Sequence, residues 1–568
     1  MARQHRVVDH IVEYLARIGV DYIFGVDGAN IEDLYDAAHF RSDVTAVLAK
    51  HEFSAAAMAD GYSRGGARLG VVAATSGGGA LNLVPGLGES FASRVPVLAL
   101  AGQPATTMDG RGSFQDTSGR NGSLNAEALF SAVSVFCRRV MAPGDIASAL
   151  PAAVAAARTG GPAVLLLPKD IQQGLVAANG YELEAAAPRI GDLHPIVRAL
   201  RRANGPVTIV AGEQVARDDA RRELEELRAL LRARVACVPD AKDVAGTPGF
   251  GSSSALGLTG VMGHPGVAEA VAGSALCLVV GTRLSVTARA GLDDALAATR
   301  TISIGSAPPY LPCTHVHTDD VRLSLSMLTR ELSGGGRPTG LRVPDVVART
   351  ELRPPAVDGP GVRYRDAMAV LDAALPAGAD IVVDAGNTGA AAIHYLPVRR
   401  GGRFAVALGM GGMGYSFGAG IGMAFGRARR TVVIAGDGAF FMHGMEVHTA
   451  VQYRLPVTFV LFNNNAHAMC VTREQLFYDD LYSYNRFSPS NLGAGLAAMF
   501  PGLSSVDVAD LDALPAAIQH AMDVDGPSVV SVACSADEIP PFAAFLNQIG
   551  RQRITNHEED RTHVPASA

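Results

Sequence analysis

An α/β fold of three doubly wound, parallel-sheet domains is the class this sequence predicts, and three observations carry it. Apolar, β-branched runs of strand length alternate with amphipathic or Ala-rich helical patterns along most of the chain. The composition, 48% hydrophobic and 18% charged with 63 Gly in 568 residues, suits strands buried on both faces and joined by tight turns. Two Gly/Pro-rich passages, 172–195 and 334–360, divide the chain into pieces of domain size. The predicted units are residues 1–175, 190–335 and 360–537, followed by a polar tail, 538–568.

The first unit opens with an amphipathic helix over about 7–18, then a strand, Tyr22–Val26, and a loop containing Asn30. A strand near 44–48 leads to His51-Glu52 at a helix start, where a carboxylate is favoured by the helix dipole whatever else it does. A buried strand over 69–74 runs into Thr75-Ser76-Gly77-Gly78-Gly79, a loop whose glycines let a ligand approach the backbone. After a strand at 95–101, the polar stretch 106–125 with Phe114-Gln115-Asp116 is too long for a plain connection and reads as a functional loop. An Ala-rich helix over 147–158 and a strand over 162–170 close the unit.

The second unit shows strands at 207–212, 276–281 and 301–304, and a charged helix over 220–233 with Leu224, Leu227 and Leu231 on one stripe. The third starts with a helix over 364–375. Its centre is a strand over 431–435, the turn Gly436-Asp437-Gly438, a helix over 444–453, and a second strand over 456–462 that ends in Asn463-Asn464-Asn465. In a parallel sheet both strands end on one edge, so Asp437 and Asn464 can converge on a single ion there. Hard oxygen ligands beside a diphosphate describe Mg²⁺. Alone, Gly-Asp-Gly is also an ordinary tight turn.

A formal charge of −7 without a basic stripe predicts no nucleic-acid partner. No run approaches the roughly 20 apolar residues of a membrane helix, and no signal peptide is evident. Six scattered cysteines without a Cys-x-x-Cys pair fit free thiols in the cytoplasm.

The Gly436-Asp437-Gly438 and Asn464-Asn465 pair resembles the fingerprint of thiamine diphosphate enzymes of the acetolactate synthase and pyruvate decarboxylase superfamily. Gly25-Val26-Asp27-Gly28, His51-Glu52-Phe53-Ser54-Ala55-Ala56, Thr75-Ser76-Gly77-Gly78-Gly79, Phe114-Gln115, Pro168-Lys169-Asp170, Asp384-Ala385-Gly386-Asn387 and Leu455-Pro456-Val457 extend the likeness over nearly the whole chain. It is nearest to acetolactate synthase-like carboligases and benzaldehyde lyase-like enzymes. The resemblance implies pyrimidine-binding, central and diphosphate-binding domains, with the cofactor between the first domain of one subunit and the third of another, hence a homodimer or homotetramer.

By the same resemblance, Glu52 is the activating acid against the pyrimidine ring, and Met413, in Gly409-Met410-Gly411-Gly412-Met413, is the apolar wedge beneath the bent cofactor. Asp437, the Asn464 side chain and the Ala466 carbonyl would hold Mg²⁺. Ser76, Asn387, Gly411, Gly436, Gly438, Ala439, His467 and Met469 would line the cofactor. Gln115 would lie beside the reacting carbon, with Asn30 where benzaldehyde lyase-like enzymes carry a catalytic His. An amide hydrogen-bonds but shuttles no proton at neutral pH, so His467 is the candidate titratable group. Arg473 stands where acetolactate synthases carry a specificity Trp; it would bind an anionic substrate group or face solvent beside Glu474.

The central domain keeps Gly260-Val261-Met262-Gly263 and Gly281-Thr282-Arg283, similar to flavin-binding synthases, but Ile302-Ser303-Ile304-Gly305 lacks their acidic residues, so FAD is not favoured. The expected reaction joins a decarboxylated 2-oxo acid, pyruvate first, to a carbonyl or thioester acceptor. The alternatives are a 2-oxo acid decarboxylase, a 2-hydroxyacyl-CoA lyase with Arg551, Arg553 and Arg561 as phosphate contacts, and a non-catalytic protein keeping the fold.

Overall fold

The computed structural model describes residues 4–66, 69–177, 187–245, 255–334, 338–345, 347 and 349–562. It has the predicted class: three parallel sheets, each flanked by helices, with a small antiparallel ribbon added to the first. Numbering each unit's strands in chain order, the N-terminal and C-terminal six-stranded sheets share one order, 2-1-3-4-6-5, and the central five-stranded sheet runs 2-1-3-4-5. Each order reverses between its first and third strands, the crevice where ligands bind in doubly wound sheets.

The strands are short, apolar and β-branched. Gly70–Ala74, Val97–Gln103, Pro162–Pro168 and Leu276–Val280 are buried throughout, because helices cover both faces. Among the described residues nine strands escape the sequence reading: Gln4–Arg6, Phe136–Arg139, Leu175–Ala177, Arg234–Cys237, Thr314–His317, Asp380–Val383, Phe404–Val406, Ser504–Val508 and Ser528–Ala533. Leu175–Ala177, inside the expected linker, pairs antiparallel with Gln4–Arg6. Most have only three to five residues, too few to show a period, so only pairing with a neighbour defines them. The strand expected over 162–170 stops at Pro168, and Lys169 and Asp170 open a short helix. The tail is helical over Ala543–Thr562.

One further correction bears on function. Gly436-Asp437-Gly438 is a strand-to-helix junction, not a free-standing turn: the strand Thr431–Gly436 ends there, and helix Asp437–His443 begins at the aspartate, ahead of the helix expected from 444. A tight 3₁₀ turn and the helix Val447–Gln452 follow. Asp437 favours this start because a carboxylate in a first helical turn meets unpaired N–H groups.

Helix Glu52–Gly66 of the N-terminal unit packs on helix Tyr415–Arg427 of the C-terminal unit nearly backbone to backbone. A Cβ on Gly61 would stand 2.0 Å from the Ala419 carbonyl oxygen, and one on Gly422 1.9 Å from that of Met58. Small residues on both helices permit this approach and bring the two six-stranded units together.

Candidate active site

The strands Thr431–Gly436 and Val457–Asn463 are parallel neighbours, with Gly436 opposite Phe462. Their ends release Asp437 and Asn464 side by side. Asp437 is 1% exposed; its Oδ1 accepts from Gly438 N at 2.9 Å and its Oδ2 from Ala466 N at 3.2 Å. Burial pushes its carboxyl up to about 6, opposed by the backbone N–H groups of Gly438, Asn465 and Ala466. Asn465 takes a left-handed conformation, φ +54°, which an Asn tolerates, and turns the chain back into the pocket.

Two buried amide oxygens among the residues lining this cavity have no hydrogen-bond partner, those of Asn464 and Asn387. Their Nδ2 groups are committed, Asn464 to Tyr364 Oη at 3.4 Å and Asn387 to Thr472 Oγ1 at 3.1 Å. A buried carboxylate and an orphan amide oxygen at one strand edge are the donor set of a hard divalent cation. Among the described residues no trio of His, Cys, Asp and Glu forms a metal site, so a cation here would rely on amide and carbonyl oxygens. Three helices, Asn387–Tyr395, Asp437–His443 and Ala468–Phe477, begin around this cavity, and their N-termini favour an anion such as a diphosphate.

The cavity gathers most of the C-terminal residues expected at the site. Asn387, Met413, Gly436, Asp437, Gly438 and Ala439 line it, with Asn464, Ala466, His467 and Met469 opposite. Gly411 lies just outside, in the loop leading to Met413. Gly438 is fitted beneath two of these side chains: a Cβ there would meet His467 Cδ2 at 2.4 Å and Met413 Cε at 3.3 Å. The His467 ring stands edge-on to Phe487 with centroids 4.7 Å apart.

The expected residues of the N-terminal unit form a second cluster. Glu52, the first residue of its helix, is 9% exposed and accepts from Asn82 Nδ2 at 3.0 Å. Asn82 escapes the sequence reading; its one signal is an amide in the apolar, Gly-rich first half of helix Gly78–Ala92. Asn30 Nδ2 donates to Ser76 Oγ at 2.6 Å, and Ser76 Oγ donates to Gln115 Oε1 at 3.1 Å. Gln115 is held at φ +61°, a conformation costing about 1 kcal/mol or more for a residue with a Cβ. Asn30, Ser76 and Gln115 thus form one relay of neutral groups.

Arg473 lies outside both clusters. Its guanidinium sits 5.7 Å from the Phe477 ring centroid on an exposed helix face, while Glu474 is buried against Asn485. Cys470, the exposed first-turn thiol of the same helix, lines the cavity. Arg283 of the central unit stacks on Tyr310, 4.1 Å from the ring centroid. Arg551 is exposed on the last helix, and the side chains of Arg553 and Arg561 lie outside the described residues. No helix among the described residues is long and apolar enough to cross a membrane.

Three family models match the chain: the thiamine pyrophosphate enzyme N-terminal domain over residues 5–122, the central domain over 193–321 and the C-terminal domain over 384–532. Acetolactate synthase 2, chloroplastic, of Nicotiana tabacum is 30% identical, covering 95% of this chain and 84% of its own length. A probable acetolactate synthase large subunit of Methanocaldococcus jannaschii is 26% identical, covering 96% and 95%. The fold is shared with a solved structure of a putative thiamin diphosphate-dependent enzyme from Mycobacterium smegmatis, with TM-score 0.77 at 23% identity over 94% of this chain and 100% of that one. With all three domain types in order and a relative at that identity over nearly its full length, the chain belongs to the thiamine pyrophosphate enzyme family and is a thiamine diphosphate-dependent, acetolactate synthase-like enzyme.

Proposed function

We propose that the protein is a carboligase that decarboxylates a 2-oxo acid, pyruvate first among them, and joins the remaining fragment to an acceptor carbonyl. The observation that carries this is the buried Asp437 carboxylate beside the orphan Asn464 oxygen, under three helix N-termini. Asp437, Asn464 and the Ala466 carbonyl would hold Mg²⁺, and the helix ends would hold the diphosphate. When bound, thiamine diphosphate supplies the carbon nucleophile and the electron sink for decarboxylation. Met413 would lie beneath the cofactor, and Glu52 would hold a proton against its pyrimidine ring. Glu52 contacts Asn82 in its own unit, while the cavity is lined only by residues of the C-terminal unit. A second copy of the chain therefore completes the site, as a homodimer or homotetramer. Six free thiols suit a reducing cytoplasm.

Carboligation is favoured over decarboxylation to an aldehyde by the relay Asn30, Ser76 and Gln115. Releasing an aldehyde requires a proton at the reacting carbon, and none of these three groups gives one up near neutral pH; in carboligation that carbon bonds the acceptor carbon instead, and the proton goes from solvent to the new alkoxide oxygen. The Ser76 hydroxyl proton is committed to Gln115, so the remaining N–H bonds of Asn30 and Gln115 would orient the acceptor oxygen.

The purified protein, given thiamine diphosphate, Mg²⁺ and pyruvate with a panel of aldehyde, ketone and thioester acceptors, is expected to consume pyruvate and yield an adduct visible by mass spectrometry. Glu52→Gln is expected to lose this almost completely. Equal turnover by that variant would sink the assignment.

A further inference from the structure

Glu89 lies in helix Gly78–Ala92 of the N-terminal unit and is 2% exposed. Its carboxylate reaches across to the loop that carries Met413. Oε1 accepts from Gly409 N at 3.1 Å, and Oε2 accepts from Met410 N at 2.6 Å and Gly411 N at 3.2 Å. Three successive backbone N–H groups on one carboxylate form an anion nest, and Gly411 at φ +67° supplies the left-handed residue such a nest needs. Ser93 Oγ donates to Oε1 at 2.6 Å, and Arg64 Nη2 lies 3.6 Å from it.

The same loop is held on its far side. Asp384 accepts from Gly414 N and Ser416 N, each at 2.9 Å, and Asp60 accepts from Tyr415 Oη at 2.5 Å and Arg64 Nε at 2.6 Å. Met413 sits between these grips with its methyl against Gly438. A thioether cannot anchor itself by hydrogen bonds, so its height in the cavity is set by the backbone on either side.

We propose that Glu89 is a positioning residue for Met413: by gathering the 409–411 amides it transmits the placement of the N-terminal unit into the cofactor cavity of the same chain. This rests on the reading of Met413 as the wedge under the bent cofactor. A carboxylate suits the task because charge-assisted bonds to N–H groups are about twice as strong as neutral ones. Gln at this position keeps the volume but offers one acceptor oxygen and turns an NH₂ toward the remaining amides.

The test compares wild type, Glu89→Gln, Met413→Ala and the double variant, each with bound thiamine diphosphate and Mg²⁺. Three quantities are read: hydrogen exchange of the 409–413 amides, calorimetric cofactor affinity, and the rate of C2–H exchange of the bound cofactor by NMR. Glu89→Gln is expected to speed amide exchange and to slow C2–H exchange by about tenfold to a hundredfold, with affinity changed less than about threefold. The double variant is expected to be no slower than Met413→Ala alone, since the two residues act as one unit. Unaltered amide exchange in Glu89→Gln, or fully additive effects in the double variant, would overturn the proposal. A wild-type C2–H rate in Met413→Ala would instead fault the wedge reading, and the amides would still decide whether Glu89 holds the loop. Should Glu89→Gln fail to fold, Gly411→Ala disturbs the same nest without touching the buried charge and carries the same expectations.

Discussion

Gly438 lies directly beneath the imidazole of His467: a Cβ on the glycine would stand 2.4 Å from Cδ2 of the ring. Gly438→Ala must therefore push His467 or Met413 into the cavity. Overpacking of this kind costs about 1–3 kcal/mol, which, if taken from cofactor binding, corresponds to a loss of roughly fivefold to 150-fold in affinity. Calorimetric titration of the metal-loaded protein with thiamine diphosphate measures it, and unchanged affinity would show that the cofactor does not use this floor.

Removing the metal has a defined consequence. Burial raises the Asp437 carboxyl against its backbone N–H bonds, and the Asn464 oxygen has no partner in the protein, so a cation bound between them would stabilise the fold. Chelation is expected to lower the unfolding free energy by about 2.7 kcal/mol relative to protein held at a hundred times the metal dissociation constant. Asp437→Asn and Asn464→Ala are expected to unfold at the same temperature with and without chelator.

Acid should weaken the seam between the central and C-terminal units. The His264 and His394 rings stack with centroids 4.5 Å apart, Leu258 N donates to His264 Nδ1, and the Arg349 guanidinium lies 3.0 Å from its Nε2. Burial first, then Arg349 and neighbouring cations, push His264 down to about 2; burial pushes His394 down to about 4. Unfolded, both take up protons below about 6.5. The stability they contribute is complete above that pH and is lost as pH falls through 6.5 toward 4, at roughly 1 kcal/mol per pH unit for each. Urea unfolding at pH 7 and pH 5 reads the difference, and His394→Gln is expected to remove about half of it, the rest belonging to His264.

Lys242 caps a helix that starts at the site. Its Nζ donates to the carbonyls of Ala392 at 3.0 Å and of Ile393 and Leu396 at 2.5 Å, at the C-terminal end of the helix whose first residue is Asn387. Lys242→Met would remove the ammonium donor from the Ile393 and Leu396 carbonyls, leaving Ala392 its bond from Leu396 N, and is expected to cost about 2–3 kcal/mol, read as a lower urea midpoint.

Placing a titratable group in the neutral relay should redirect the product. Asn30→His introduces a side chain of ordinary pKa near 6.5 next to Ser76. Aldehyde release is expected to rise about tenfold relative to carboligation at pH 6, and less at pH 8, measured as the product ratio from pyruvate. A ratio independent of pH in that variant would remove Asn30 from the reacting centre.

Legibility in the chain followed the range of the interactions. The strands over 431–436 and 457–463 and their converging Asp437 and Asn464 were readable, because strand periodicity and parallel geometry are local rules. The start of helix Asp437–His443 was misplaced because a Gly-Asp-Gly sequence serves equally as a turn or as a helix entry, and only the packing of Ala439 and Phe440 into the core selects the second. The shared 2-1-3-4-6-5 strand order of the outer units left no residue-level repeat, since many apolar sequences satisfy one buried sheet.

By itself the sequence determined the fold class, the family and the cofactor, all of which rest on short motifs and on hydrophobic period. Only the tertiary structure decided that Asn82 meets Glu52, that Glu89 gathers the amides before Met413, and that Lys242 caps the helix from Asn387. The physical reason is separation along the chain. A buried carboxylate or ammonium finds its partners wherever folding brings unpaired N–H or C=O groups, and nothing within a few residues of Glu89 or Lys242 marks where those groups will be.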